Sequence, residues 1–319
     1  MDIILNIIQS PFILFAVGAL LIFYGSDILI DNSILIAKYY NISPVIIGLT
    51  VVAFGTSLPE LIVSVMASIR DEGQIVLGNI IGSNIANISL VLAFIALYKN
   101  IIFSFTKIKT SIIYLFISTI SLCLAVFYNK LALFTGIGFL LFFVFFIYGQ
   151  FKNATGKNND DKGSEEDSNI KYFIFIIIGI VALGYGSNLF IDSAIGIAAF
   201  FNVPNIVISV SLVAFGTSVP ELVTSIVALK KGEAGFVVGN ILGSNIINIL
   251  LVLGSSVTIN SILIDFSSVK LSFYFLIIST LIFILILFYQ KAVTKVHGIV
   301  LLIIYCLFIY FQFSLGMIL

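Results

Sequence analysis

Two glutamates, Glu60 and Glu221, carry the same surroundings in the chain, GTSLPEL at residues 55–61 and GTSVPEL at residues 216–222. Each lies in a long apolar stretch directly behind a proline. Proline lacks an N–H and clashes with the carbonyl four residues back, here those of Gly55 and Gly216, so Pro59 and Pro220 predict a helix break within each AFGTS. Backbone carbonyls freed at membrane depth are tolerated only inside protein or along a wet cavity. The carbonyls of Ala53, Ala214 and their neighbours are therefore candidate cation ligands.

Helical spacing gathers more oxygens. Ser57, Glu60 and Ser64 share one helix face, as do Ser218, Glu221 and Ser225. In the following segments Asn79, Ser83 and Asn87 align at intervals of four, and so do Asn240, Ser244 and Asn248. Together these faces offer two carboxylates, several hydroxyls and several amide oxygens, with no amine, imidazole or thiolate. Calcium takes six to eight oxygen ligands, whereas zinc or copper would want His or Cys. Two glutamates balance one calcium or two sodium ions, which makes the site suited to exchange. The sole histidine, His297, sits at a loop-to-helix junction and reads as interfacial.

Ser57-x-x-Glu60 and Ser218-x-x-Glu221 also match a capping box, in which the glutamate merely caps a helix. An intramembrane carboxylate costs at least about 2.5–3.5 kcal/mol on insertion scales, and Gln would serve the same box. Recurrence at two related positions beside matching breaks favours function. Gly78-x-x-x-Gly82 and Gly239-x-x-x-Gly243 are close-packing motifs of membrane helices. Asn84 and Asn245, one residue out of phase, read as helix-to-helix hydrogen-bonders. Asp27, Asp31 and Asp192, near span ends, read as interfacial or loop-anchoring.

The elements that must hold these groups are membrane spans. The chain has 319 residues, 61% hydrophobic and 9% charged, with a mean hydropathy of +1.23, far from soluble-domain composition. At about 20 apolar residues per span, ten candidates emerge, roughly 11–37, 44–69, 74–98, 108–128, 131–151, 170–199, 205–229, 234–258, 269–289 and 297–316. Met1 to Ser10 lacks the basic start and cleavage site of a signal peptide, so the first span is expected to be retained. Cys123 and Cys306 both lie in apolar runs, which argues against a disulfide framework.

The motifs belong to an internal repeat at an offset of 161 residues: 24 of 40 positions are identical between residues 53–92 and 214–253. Upstream, YGSD at Tyr24–Asp27 answers YGSN at Tyr185–Asn188, and Asp31 answers Asp192. Five spans per repeat is an odd number, so the halves must be inverted, an architecture of secondary transporters. The expected organisation is a first repeat at 1–151, a cytoplasmic linker at 152–169 and a second repeat at 170–319. Within the linker, Asp160, Asp161, Glu165, Glu166 and Asp167 lack the spacing of a calcium loop, and a solvated segment is expected. With the first end outside, twelve Lys residues fall on the inner side against three Lys or Arg outside, which predicts both termini outside.

On GTSLPEL, GNIIGSNIAN, GTSVPEL and GNILGSNIIN the chain resembles the sodium/calcium exchanger branch of the cation/calcium antiporter superfamily, over nearly its whole length. The short linker is similar to that of prokaryotic members. The resemblance implies ten helices with a diamond of cation sites formed by spans 2, 3, 7 and 8. Carried over by motif, Glu60 and Glu221 would be central, with hydroxyl ligands Thr56, Ser57, Thr217, Ser218, Ser83 and Ser244 and carbonyl ligands Ala53 and Ala214. Spans 1 and 6 would slide across this core. Many relatives carry an aspartate at the position of Asn87 or Asn248; asparagine at both weakens potassium-dependent and proton-linked readings. The implied activity is sodium-for-calcium antiport by alternating access, with no enzyme chemistry and no cofactor. The expected partners are the two ions and the lipid bilayer, with no nucleic acid and no obligate protein partner. A calcium/proton antiporter on the same fold is the nearest alternative, although its branch typically has Asn and Ala in place of Thr-Ser and Pro. A passive cation channel fits two buried glutamates poorly, and an intramembrane protease fits less well still.

Overall fold

The computed structural model describes residues 10–127, 130–154, 170–201, 214–264, 266–290 and 292–316. It is all-helical apart from two-residue ladders. Among the described residues, eight helices are long and apolar enough to cross a membrane, and nine when one bent pair counts as a span. The seventh expected span, 205–229, is described from residue 214 onward, and the expected linker lies almost wholly outside the described residues.

The first helix, α1 (Pro11–Tyr39), starts on a proline at its first turn, where the missing N–H is harmless. A turn with Asn41 in the left-handed region leads to α2 (Pro44–Ile47), a π-helical segment (Gly48–Val52), α3 (Ala53–Thr56) and α4 (Leu58–Ile69). Next come α5 (Gly73–Ala86), a second π segment (Asn87–Val91) and α6 (Leu92–Tyr98). The first half closes with β1 (Ile101–Ile102), α7 (Phe105–Phe127), β2 (Lys130–Leu131) and α8 (Leu133–Ala154).

The second half repeats the order with α9 (Ile170–Phe200), α10 (Ala214–Thr217), α11 (Val219–Lys230), α12 (Ala234–Ile247), a π segment (Asn248–Leu253) and α13 (Gly254–Ile259). It ends with β3 (Ile262–Leu263), α14 (Phe266–Tyr289), β4 (Ala292–Val293) and α15 (Lys295–Gly316). At the turn after α4, Asp71 adopts φ 62°; at the matching turn Gly232 adopts φ 83°. Glycine takes this conformation without the steric cost of a Cβ.

Burial sorts the helices into centre and periphery. In the hydrophobic windows of Gly73–Tyr98 and Ala234–Ile259, 83% and 94% of residues are buried, against 22–39% for the other long spans. These two long stretches therefore form the core, and each contains a π segment beginning at Asn87 or Asn248. An extra residue per turn in a mid-helix position often marks a functional site. Around the core, apolar side chains such as Phe134, Phe145, Val181 and Phe288 point outward, as a lipid-facing surface requires.

Helices α1 and α9, of 29 and 31 residues, are about 44–46 Å long at 1.5 Å per residue, well beyond a bilayer core of about 30 Å. They lie against each other through glycines. A Cβ at Gly18 would sit 3.0 Å from the Gly186 carbonyl oxygen, and one at Gly25 would sit 3.0 Å from that of Gly179. Small residues let membrane helices approach to backbone contact. The antiparallel ladders β1–β4 and β2–β3 pair one half with the other, Ile101 opposite Val293 and Leu131 opposite Ile262. Adding 161 to β1 gives β3, so the two ladders exchange under the repeat.

Candidate cation site

The helix breaks fall where the prolines require. Pro44–Thr56 and Leu58–Ile69 meet at 47°, with Ser57 at φ −85°, ψ 6° between them. Ser218, at φ −90°, ψ 1°, interrupts α10 and α11 in the same way. Ser57 and Ser218 occupy N-cap positions, yet neither side chain makes a capping hydrogen bond. Both hydroxyls are buried without a partner, as are all four carboxylate oxygens of Glu60 and Glu221. The capping-box reading requires these bonds, and they are not made.

Each glutamate sits in the first turn of its half-helix, at 0% exposure. Thr217 and Ser83 flank the Glu60 carboxylate, while Thr56, Ser244 and Ser57 flank that of Glu221. None of them meets hydrogen-bond geometry with a carboxylate oxygen. The two carboxylates are close enough for Glu60 to feel the charge of Glu221. Each glutamate is thus served by a threonine from the opposite repeat.

Hydrogen bonds hold the oxygens in place around the carboxylates. Thr56 Oγ1 donates to Asn240 Oδ1 at 3.1 Å and lies 3.3 Å from Ser244 Oγ. In the symmetric position Ser83 Oγ lies 3.3 Å from Thr217 Oγ1. Within each repeat an asparagine braces the hairpin: Asn79 Nδ2 donates to Ser64 Oγ (2.8 Å) and to the Glu60 carbonyl (3.1 Å), and Asn240 Nδ2 donates to Ser225 Oγ (3.3 Å). Ser64 and Ser225 therefore serve as struts on the glutamate face.

The asparagines divide by role. Asn84 Nδ2 donates to the Asn245 carbonyl at 3.3 Å and Asn84 Oδ1 accepts from Asn248 Nδ2 at 3.1 Å, the interhelical role expected of it. Asn245 instead donates to Ile241 in its own helix at 2.7 Å, so its expected cross-helix bond is not made. A side-chain amide that reaches its own backbone four residues back satisfies its donor locally. Asn87 is buried with its whole amide unpartnered, and Asn248 keeps a free Oδ1.

The Ala53 carbonyl is not freed by the break, since it accepts from the Ser57 N–H (3.0 Å) and from Thr56 Oγ1 (3.3 Å). Its expected role as a ligand would require one of these bonds to be exchanged. For Gly239 and Gly243 the close packing is plain: added Cβ atoms would lie 2.5 Å from the carbonyl oxygens of Val45 and Leu49. A Cβ added at Gly78 or Gly82 would meet no described residue beyond its own helix turn within 4 Å, and the matching segment 205–213 lies outside the described residues.

His297 accepts the Thr294 N–H on Nδ1 at 3.1 Å at the start of α15, far in kind from a ligand. Asp27 and Asp31 bind Lys231 at 2.6 Å and 2.5 Å, an ion pair the sequence reading did not foresee. Asp192 is exposed, with no ion-pair partner among the described residues.

The family model described as sodium/calcium exchanger protein matches residues 10–152 and 171–314. An uncharacterized membrane protein of Methanocaldococcus jannaschii is 33% identical over 91% of this chain and 94% of its own length. The sodium/calcium exchanger MaX1 of Methanosarcina acetivorans is 29% identical, over 78% of this chain and 83% of its own. A structure of the sodium-calcium exchanger NCX_Mj, soaked with Na+ and Sr2+, superposes with a TM-score of 0.82 at 32% identity, covering 93% of this chain and 96% of that one. With two repeated, glutamate-bearing helix breaks and a family match across both halves, this chain belongs to the sodium/calcium exchanger family.

Proposed function

We propose that this protein is a secondary active antiporter that exchanges sodium for calcium across the membrane by alternating access. The observation that carries the reading is the pair of fully buried glutamates, Glu60 and Glu221, whose carboxylate oxygens have no hydrogen-bond partner. A buried, unpaired charge is costly and has to be neutralised by whatever binds it. Around the pair stand Thr56, Ser57, Ser83, Thr217, Ser218, Ser244, Asn87 and Asn248, a hard-oxygen set that suits Na+ and Ca2+. The Ala53 carbonyl joins the set when it gives up its bond to the Ser57 N–H or Thr56 Oγ1, and Ala214 holds the same position in the second repeat.

Calcium and sodium compete for overlapping positions in this site. The charged, empty cavity resists reorientation, and the neutralised one closes and changes sides. Exchange of more than two sodium ions per calcium moves net charge, worth about 2.3 kcal/mol per elementary charge per 100 mV. An inward sodium gradient then extrudes calcium.

The surrounding architecture is ten spans in two inverted repeats, 1–151 and 170–319, joined by a cytoplasmic linker at 152–169, with both termini outside. The odd span count per repeat, the lysine distribution and the exchange of the two β-ladders under the repeat support this arrangement.

Equilibrium binding of calcium-45 to the purified protein tests the competition. Added NaCl is expected to displace calcium with a dependence steeper than first order, while choline chloride leaves binding unchanged. Calcium binding indifferent to sodium would reject the shared site.

A further inference from the structure

Helix α1 is fastened to α11 at two points. Ser26 Oγ and Thr224 Oγ1 form a buried hydrogen bond of 3.0 Å. At the end of α11, Lys231 Nζ bridges the carboxylates of Asp27 and Asp31, one helical turn apart on α1. Burial pulls the Lys231 ammonium toward a lower pKa, and the two aspartates more than offset it, leaving the group above the ordinary lysine value.

The repeat supplies an internal control. Subtracting or adding 161 places Arg70 at the Lys231 position, Val63 at Thr224, Ser187 at Ser26, Asn188 at Asp27 and Asp192 at Asp31. None of the fastenings recurs on that side among the described residues. Val63 has no hydroxyl to offer, and Ser187 Oγ is buried without a partner. Arg70 and Asp192 are both exposed and form no ion pair with each other. Of two related helix contacts, one is clasped and the other open.

We propose that Lys231, Asp27, Asp31, Ser26 and Thr224 form a clasp that opens in every transport cycle, and that these positioning residues bias the protein toward the state closed on the Lys231 face. This rests on the alternating-access reading above. In the opposite state the two contacts exchange roles, and Arg70 approaches Asp192. That second contact is the weaker one, because it lacks a second carboxylate and the Thr224 hydroxyl. The two access states are therefore unequally populated in the ion-free protein.

An apparent dissociation constant is the intrinsic one divided by the fraction of molecules in the competent state. Breaking the clasp raises the fraction open to the Lys231 face, so calcium binds more tightly from that face and no more tightly from the other. Partly exposed ion pairs are each worth little, so the expected shift for two of them is about 3–10-fold.

The experiment measures half-saturating calcium for calcium/calcium exchange at each face, in proteoliposomes sorted by orientation, for Lys231→Ala and for Asp27→Asn with Asp31→Asn. Both variants should lower the value at the Lys231 face by about 3–10-fold without lowering it at the other, and Lys231→Arg should retain the unsubstituted values. Because the two variants break the clasp from different helices, a folding defect in one leaves the other to decide. Equal shifts at both faces, or none at either, overturn the clasp. Absence of calcium flux in the unsubstituted protein would instead overturn the transport reading on which it rests.

Discussion

Proteoliposomes carrying Glu60→Gln or Glu221→Gln are expected to lose sodium-gradient-driven calcium uptake. Gln preserves size, removes the charge and replaces one acceptor oxygen with an NH2 donor. At 4 Å and an effective dielectric constant of about 20, a pair of unit charges interacts by ~4 kcal/mol. Each 1.4 kcal/mol is tenfold in affinity, and calcium carries two charges, so the loss of one carboxylate should weaken calcium binding by at least about a thousandfold. The fold should not suffer. Both carboxylates are buried with no hydrogen bond to lose, and an unpaired buried charge costs more than an unpaired buried amide. The ion-free variants should thus melt no lower than the unsubstituted protein. Sodium-driven uptake at the normal rate in either variant would remove Glu60 and Glu221 from the transport site.

Gly243→Val should be nearly as damaging, for a different physical reason. The first added carbon would lie 2.5 Å from the Leu49 carbonyl oxygen and 2.6 Å from Ala53 Cβ. Backbone cannot yield as a flexible side chain does, so α12 must move away from the segment Gly48–Thr56. That displacement pulls Thr56 away from Asn240 and Ser244, which it meets at 3.1 Å and 3.3 Å. Overpacking of this kind costs about 1–3 kcal/mol or more, and the transport rate should fall further than the melting temperature suggests. Gly184→Ala is the matched control, since a Cβ there meets nothing within 4 Å among the described residues, and it should transport normally. Equal activity in the two variants would show that this close approach does not position the site.

Much of the candidate site was legible because the chain is duplicated. One buried glutamate behind a proline could be a cap; two, each beside a break, locate a shared centre, and in the structure Thr56 and Thr217 cross over to the opposite glutamate. The breaks at Ser57 and Ser218 were legible from proline chemistry alone. The π segments were not, because one extra residue in a turn leaves no mark on composition or apolar periodicity. Their starting points, Asn87 and Asn248, stand out in the sequence only for their amide oxygens and their spacing.

Glycine spacing was a partial guide. It pointed to Gly239 and Gly243, whose neighbours are backbone, and passed over Gly18, Gly25, Gly179 and Gly186, where spacings of seven join α1 to α9. The Lys231 clasp was out of reach of local pattern, because Asp27 and Asp31 find their partner some 200 residues away. The available signals were mismatches between the repeats, Thr224 against Val63 and Asp27 against Asn188.

The central claim is that sodium, and not another gradient, moves calcium through this site. The direct measurement is calcium-45 flux in proteoliposomes under imposed sodium, potassium and proton gradients, one at a time. Calcium accumulation driven by the sodium gradient alone is the predicted result. Accumulation driven by a proton or potassium gradient without sodium, or calcium passage that needs no counter-ion on the opposite side, would contradict it.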